Sequence, residues 1–130
     1  MPNQIVVAGA LIADSMVLIA QRVRPPELAG RWELPGGKVA QGETDSEALA
    51  RELAEELGVE VQVGSRLGDD VELNATTTLR AYHVGLVRGE PQPDEHSALR
   101  WVSADDLHEV YWVPADSGFV TSLVRLLTSP

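Results

Sequence analysis

The sequence predicts an α/β fold on three observations. Aliphatic and β-branched runs at residues 5–13 and 16–21 read as strands, the spacing turns helical over residues 44–57, and a second helical spacing occupies residues 117–127. Strands interleaved with two longer helices are expected to pack as an α/β sandwich, in a single domain spanning residues 1–130.

The elements follow in order. Asp14 and Ser15 are a turn signal between the first two strands. Pro25, Pro26 and Gly30 make residues 25–30 a loop, because proline lacks an amide donor and fixes φ. Trp32-Glu33-Leu34 reads as a short extended stretch, and Pro35-Gly36-Gly37 as a tight turn where the backbone can approach something closely. Thr44 with Glu47 forms a capping box for the first helix, and Gly58 is its terminating residue. Strands are expected at residues 59–63, 76–86 and 99–102, with Asp69, Asp70 and Glu72 in a solvated acidic loop. A short acidic helix near residues 104–107 comes next, and Val120, Leu123, Val124 and Leu127 give the last helix one apolar face.

Charge and composition narrow the function. Twenty acidic side chains against ten basic ones give a formal charge of −10, so no basic face exists on which to neutralise DNA or RNA phosphates. Polymeric nucleic acid is therefore excluded as a partner. There is no cysteine, which removes thiolate metal sites and cysteine nucleophiles and leaves oxygen or imidazole to hold any metal. No apolar run approaches the ~20 residues of a membrane span, and a soluble cytoplasmic protein, monomer or homodimer, is the expectation.

On the first helix Leu49, Leu53 and Leu57 form a stripe spaced by four, with Ala50 and Ala54 beside it, and this face is expected to point inward. Glu52, Glu55 and Glu56 fall within a sector roughly 100° wide, so three carboxylates crowd little more than one turn. Like charges at that spacing repel unless cations sit among them, and a hard divalent ion takes a few carboxylates together with water and phosphate oxygens. By itself an acidic helix face is more often simply solvated. The wider pattern decides otherwise: Gly37-x5-Glu43-x7-Arg51-Glu52-Leu53-Ala54-Glu55-Glu56-Leu57-Gly58-Val59 resembles the Nudix box at every defining position. Seven fixed residues at ~6% usage each, with two aliphatic ones, coincide by chance about once in a billion start positions. Trp32-Glu33-Leu34-Pro35-Gly36-Gly37-Lys38 is similar to the entry to the box in MutT-like enzymes, and Arg22 matches an arginine common there. Glu95-His96-Ser97-Ala98-Leu99-Arg100-Trp101 and Pro114-Ala115-Asp116 resemble later segments of the CTP pyrophosphohydrolase type.

The resemblance implies a Nudix fold, a mixed β-sheet between helices, and hydrolysis of a nucleoside triphosphate by water attacking the β-phosphorus, releasing monophosphate and pyrophosphate. It implies Mg²⁺, with Mn²⁺ as a substitute, held by Glu52, Glu55 and Glu56, with the Gly37 carbonyl and Glu95 as further ligands. Glu52 or a neighbouring carboxylate is then the candidate base. Arg51 can orient the glutamates and Glu43 can anchor Arg51, a structural role being at least as good a reading for these two. Arg22 and Lys38 are the basic candidates for phosphate or base contacts.

Asp116 falls where MutT-like enzymes place a base-contacting residue. An ionised aspartate only accepts hydrogen bonds, which favours an exocyclic amine such as cytosine N4 and so CTP or dCTP; an ordinary helix N-cap is the competing reading. The purine analogue 8-oxo-dGTP also presents donors and stays open. Core packing is the expectation for Trp32, Trp101 and Trp112, with base stacking the alternative for one of them. His83, His96 and His108 show no ligand spacing and receive no role. Hydrolysis of ADP-ribose or another nucleoside diphosphate derivative, and a non-hydrolytic nucleotide sensor, are the competing functions.

Overall fold

The computed structural model describes residues 3–96 and 98–129; Ser97, within one of the segments that carry the resemblance, lies outside the described residues. Strands β1 (Gln4–Ala13) and β2 (Met16–Gln21) form a hairpin. Asp14 and Ser15 both have positive φ, 52° and 62°, as a two-residue type I′ turn requires. The residue 25–30 loop leads to β3 (Trp32–Glu33) and β4 (Gly36–Lys38), then to helix α1 (Asp45–Leu57). β5 (Glu60–Asn74), β6 (Thr77–Arg88) and β7 (Ala98–Ser103) follow, and a 3-10 turn at Ala104–Glu109 and another at Ser117–Phe119 lead into α2 (Val120–Thr128).

The sheet is mixed, with the order β3-β2-β1-β6-β5, β4 alongside β1 and β7 alongside β2. β1 runs parallel to β6 from Gln4↔Thr77 to Leu11↔Val84, while its other neighbours are antiparallel. Alternation along β1 builds the two cores. Val7 and Leu11 join Leu49, Leu53 and Leu57 beneath α1, whereas Ala8 and Ala10 join Phe119, Val120 and Leu123 beneath α2. The result is the expected sandwich of a mixed sheet between helices. The three α1 leucines are completely buried, each contributing about 1.5–3 kcal/mol through removal of its side chain from water.

Three local expectations change. Pro35-Gly36-Gly37 is not a tight turn: Gly36 and Gly37 lie in β4, paired to Ala8 and Val7. Close approach is nonetheless what glycine provides there, because a Cβ on Gly36 would stand 1.9 Å from the Val7 carbonyl oxygen. Asp69, Asp70 and Glu72 lie within β5 rather than in a loop, since bulges let the strand continue through Gly68, at φ +65°, into its pairing with β6. Finally, Ala54 is exposed and Ala50 half-buried; the buried arc of α1 is Ala48, Leu49, Leu53, Glu56 and Leu57. The inward face is therefore rotated toward the acidic side of the helix and takes Glu56 with it.

Candidate functional site

Three parts of the fold converge where β4 crosses the side of α1. The predicted capping box is present: Thr44 Oγ1 accepts from the Glu47 amide, Glu47 accepts from the Thr44 amide, and Gly58 ends the helix in the left-handed conformation. The start, the end and the rotation of α1 are thus fixed by local sequence and by the leucine stripe. Glu56 is consequently buried, 5% exposed, inside the arc of core residues.

Burial, reinforced by the nearby Glu52, Glu33 and Glu95 charges, pushes the Glu56 carboxyl up to about 8. Its Oε2 is buried with no hydrogen-bond partner. Burial also raises the Glu52 carboxyl, against the opposing pull of Arg51. Gly37 lies directly against Glu52: a Cβ there would come within 2.3 Å of the carboxylate, so β4 leaves this side chain room only because residue 37 has none. A buried, unpartnered carboxyl oxygen among other carboxylates stabilises either a bound proton or a bound cation. That donor set of hard oxygens fits a divalent ion such as Mg²⁺.

Among the described residues no three acidic or histidine side chains are gathered tightly enough to hold a metal ion as they stand. Arg51 is the cation that stands among Glu43, Glu52 and Glu55. Its Nε and Nη2 grip both oxygens of Glu43 at 2.7 and 2.9 Å, while Nη1 reaches Glu52 at 3.3 Å and Glu55 at 3.4 Å. This grip and the Ala40 amide hold Glu43 down at about 2, and the Glu43 carboxylate in turn raises the Arg51 pKa further. The Lys38 carbonyl takes the remaining Arg51 contact at 3.2 Å. Arg51 and Glu43 therefore form a bracket that ties the residue 38–43 loop to the helix.

Glu95 is exposed, on a loop that its charge brings into play with Glu52 and Glu56. A small polar recess of about 210 Å³ beside it is lined by Arg22, Arg24, Glu33, Glu56, Glu95 and His96. Arg22 and Glu33 also line a larger cleft of about 690 Å³, whose walls include Leu28, Val71, Leu73, Leu79 and Asp116. The cleft thus joins an apolar compartment to an acidic one through Arg22 and Glu33. Arg22 is not free: its Nη1 donates to Glu33 Oε1 at 2.9 Å. Lys38 is exposed and lines neither recess.

Asp116 is 5% exposed and stands at the N-cap position of the Ser117–Phe119 turn, but its side chain makes no capping bond there. Instead Oδ2 accepts the Leu34 amide at 2.7 Å across 82 residues of sequence. Burial pushes its carboxyl up to about 7, the Leu34 hydrogen bond opposing the rise. None of the three tryptophans lines the apolar cleft. Trp112 is core, with Nε1 donating to the Leu107 carbonyl, Trp32 packs against that core, and Trp101 lies partly exposed on β7.

Two residues of the site, Glu33 and His96, lie in segments that carry the resemblance but receive no role from the sequence. Glu33 belongs to a two-residue strand with no periodicity to read, and His96 has no second histidine at ligand spacing. Only the fold brings them together, with His96 Nε2 2.9 Å from Glu33 Oε2 and 3.8 Å from Glu56 Oε1.

The chain is similar to known proteins. The NUDIX domain profile matches residues 3–123. "Putative 8-oxo-dGTP diphosphatase 2" of Mycobacterium tuberculosis is 66% identical over 130 residues, covering 98% of this chain and 92% of its own. The CTP pyrophosphohydrolase of Escherichia coli is 37% identical, covering 93% of this chain and 91% of its own. Among solved structures, the Escherichia coli ORF135 protein superposes with a TM-score of 0.84 at 32% identity, over 99% of this chain and 94% of that one. A MutT Nudix hydrolase from Burkholderia pseudomallei gives 0.73 at 30% identity, over 95% and 97%. The fold and the sequence are thus similar to these proteins along nearly the whole chain, and the protein belongs to the Nudix hydrolase family.

Proposed function

We propose that this Nudix hydrolase is a divalent-metal-dependent nucleoside triphosphate pyrophosphohydrolase, converting a triphosphate and water to a monophosphate and pyrophosphate, with 8-oxo-dGTP as the leading substrate. The observation that carries the metal-dependent part is the buried Glu56 Oε2, unpartnered and surrounded by Glu52, Glu33 and Glu95. Glu52, Glu55, Glu56, Glu95 and the Gly37 carbonyl would hold the ion. When bound, Mg²⁺ or Mn²⁺ supplies charge neutralisation and polarisation of the phosphate oxygens. Glu52, held against Gly37, accepts a proton from the attacking water. Arg51 keeps Glu52 and Glu55 oriented, and Glu43 keeps Arg51 in place. Arg22, at the junction of the two recesses, faces the phosphates.

The base enters the apolar cleft over Asp116. Because burial raises this carboxyl from its ordinary value to about 7, its protonated form is accessible near neutrality, so it can donate as well as accept. It therefore does not reject the keto oxygens of 8-oxoguanine as an ionised aspartate would. The name of the 66% relative supports the purine analogue. A second reading, CTP or dCTP, is supported by the acceptor capacity of Asp116 toward an exocyclic amine and by the name of the 37% relative.

A panel of 8-oxo-dGTP, dGTP, CTP, dCTP and ADP-ribose, with Mg²⁺ or with EDTA and with pyrophosphate and phosphate measured separately, tests the proposal. Release of pyrophosphate from 8-oxo-dGTP in preference to dGTP, abolished by EDTA, is the expected result. Cleavage of ADP-ribose without turnover of any triphosphate defeats it, and binding of nucleotides without hydrolysis identifies a sensor.

A further inference from the structure

We propose that His96 is a positioning residue, whose imidazole ties the loop bearing Glu95 to Glu33 and so sets where Glu95 stands relative to Glu56. This rests on the reading of the acidic cluster as a cation site, and adds to it a side chain that contributes no ligand atom.

The loop after β6 has to pass the C-terminal end of α1, and it is held there twice. The amides of Gln92 and Asp94 donate to the Leu57 and Glu56 carbonyls at 2.9 and 3.2 Å, satisfying two of the last carbonyls of the helix. That anchors the backbone as far as residue 94. Glu95 itself is exposed, and no hydrogen bond among the described residues restrains its carboxylate. The next fixed point is His96, whose side chain is 6% exposed and whose Nε2 stands 2.9 Å from Glu33 Oε2. With consecutive Cα atoms ~3.8 Å apart, an anchor on either side leaves the Glu95 backbone little freedom.

The far end of this link is also fixed. Glu33 gives one oxygen to His96 and the other to Arg22, each at 2.9 Å, so it cannot rotate without breaking a bond. A carboxylate offers no proton, so the proton lies on Nε2 of His96 whatever the charge on the ring. Its Nδ1 is buried without a partner, and the hold on the ring therefore depends on Glu33. Glu56 at 3.8 Å is beyond hydrogen-bond range, so His96 touches the cluster without competing for its oxygens. Remove the imidazole, and residue 94 is the last anchor before Glu95.

Partners that orient ligands typically carry 10–100-fold in metal affinity or activity. The test uses the full chain and Mn²⁺ alone, with unbound Mn²⁺ followed by electron paramagnetic resonance and no nucleotide present. His96→Ala is expected to weaken Mn²⁺ binding by about tenfold or more. Its kcat should fall at limiting Mg²⁺ and recover at high Mg²⁺, with the KM for 8-oxo-dGTP within about twofold of the parent. His96→Gln, whose amide nitrogen reaches as far as Nε2, should recover most of the affinity. His96→Asn, whose amide is shorter, should not. Should the alanine variant fail to fold, the contrast between Gln and Asn carries the same information. Parental Mn²⁺ affinity in folded His96→Ala, or equal affinities for Gln and Asn, overturns the proposal. Absence of Mn²⁺ binding by the parent chain overturns the cation-site reading itself.

Discussion

Replacing Asp116 by asparagine should make the protein more stable at alkaline pH and barely change it in acid. The buried carboxyl rises from an ordinary 3.8 to about 7, mainly through desolvation. At 1.36 kcal/mol per pH unit, ionising Asp116 in the folded chain then costs about 4 kcal/mol more than in the unfolded chain. The folded state binds this proton more tightly, so the stability it supports is complete below pH 3.8, declines as pH rises, and is lost by about pH 7. Asparagine has the same shape and does not titrate, and its oxygen can still accept the Leu34 amide. The value of about 7 already contains the contribution of that bond, so the net gain is about 4 kcal/mol at pH 8. Urea unfolding of the parent and of Asp116→Asn at pH 5 and pH 8 reads this directly. Because the unfolded carboxyl is already ionised at pH 5, part of the effect is present there, and the variant should gain about 2.5 kcal/mol on the parent between the two conditions. A difference between the two proteins that is the same at both pH values refutes the buried-acid reasoning, and with it the argument that Asp116 presents a proton to a keto oxygen.

Other consequences can be checked with the same protein. Glu52→Gln should lower kcat by about 10²–10⁴ while leaving the thermal midpoint near the parent value; near-normal pyrophosphate release would remove Glu52 from the chemistry. Gly37→Ala drives a methyl group into the movable Glu52 carboxylate, whereas Gly36→Ala drives one into the Val7 backbone. The first should therefore fold and lose activity, and the second should lose more than about 3 kcal/mol of stability, as circular dichroism melts of the pair would show. Arg51→Lys keeps the charge but cannot grip both Glu43 oxygens, so kcat should fall about tenfold with little change in nucleotide affinity; an unchanged kcat would mean the bracket has no catalytic consequence. Asp116→Ala should reduce turnover of 8-oxo-dGTP and of CTP alike, and unchanged turnover of both would leave Asp116 without a part in reading the base.

Much of this protein is legible from local chemistry. Alternation and turn residues locate the β1–β2 hairpin, a capping box and a terminating glycine bound α1, and the spacing of Glu43, Arg51, Glu52, Glu55 and Glu56 identifies the family. These features depend on neighbours within about one helical turn or one strand pleat, so the linear order of residues is enough to reveal them. The β4 strand and the middle of β5 were not legible. Gly36 and Gly37 have no side-chain pattern to read, and the bulges in β5 break the alternation on which strand recognition depends.

The sequence by itself determined which residues make the acidic helix and how far apart they stand along it. The tertiary structure decided what each one experiences. Glu52, Glu55 and Glu56 share one sector of the helical wheel, yet in the fold Glu56, nearest the leucine stripe, is buried with its Oε2 unpartnered, Glu52 lies against Gly37, and Glu55 remains in solvent beside Arg51. Likewise nothing local distinguishes Asp116 from a helix cap or His96 from a surface histidine. Their roles come from Leu34 and Glu33, 82 and 63 residues away along the chain. Desolvation and long-range hydrogen bonding exist only once distant segments pack against one another, and those two effects separate the members of a uniform acidic motif into different chemical groups.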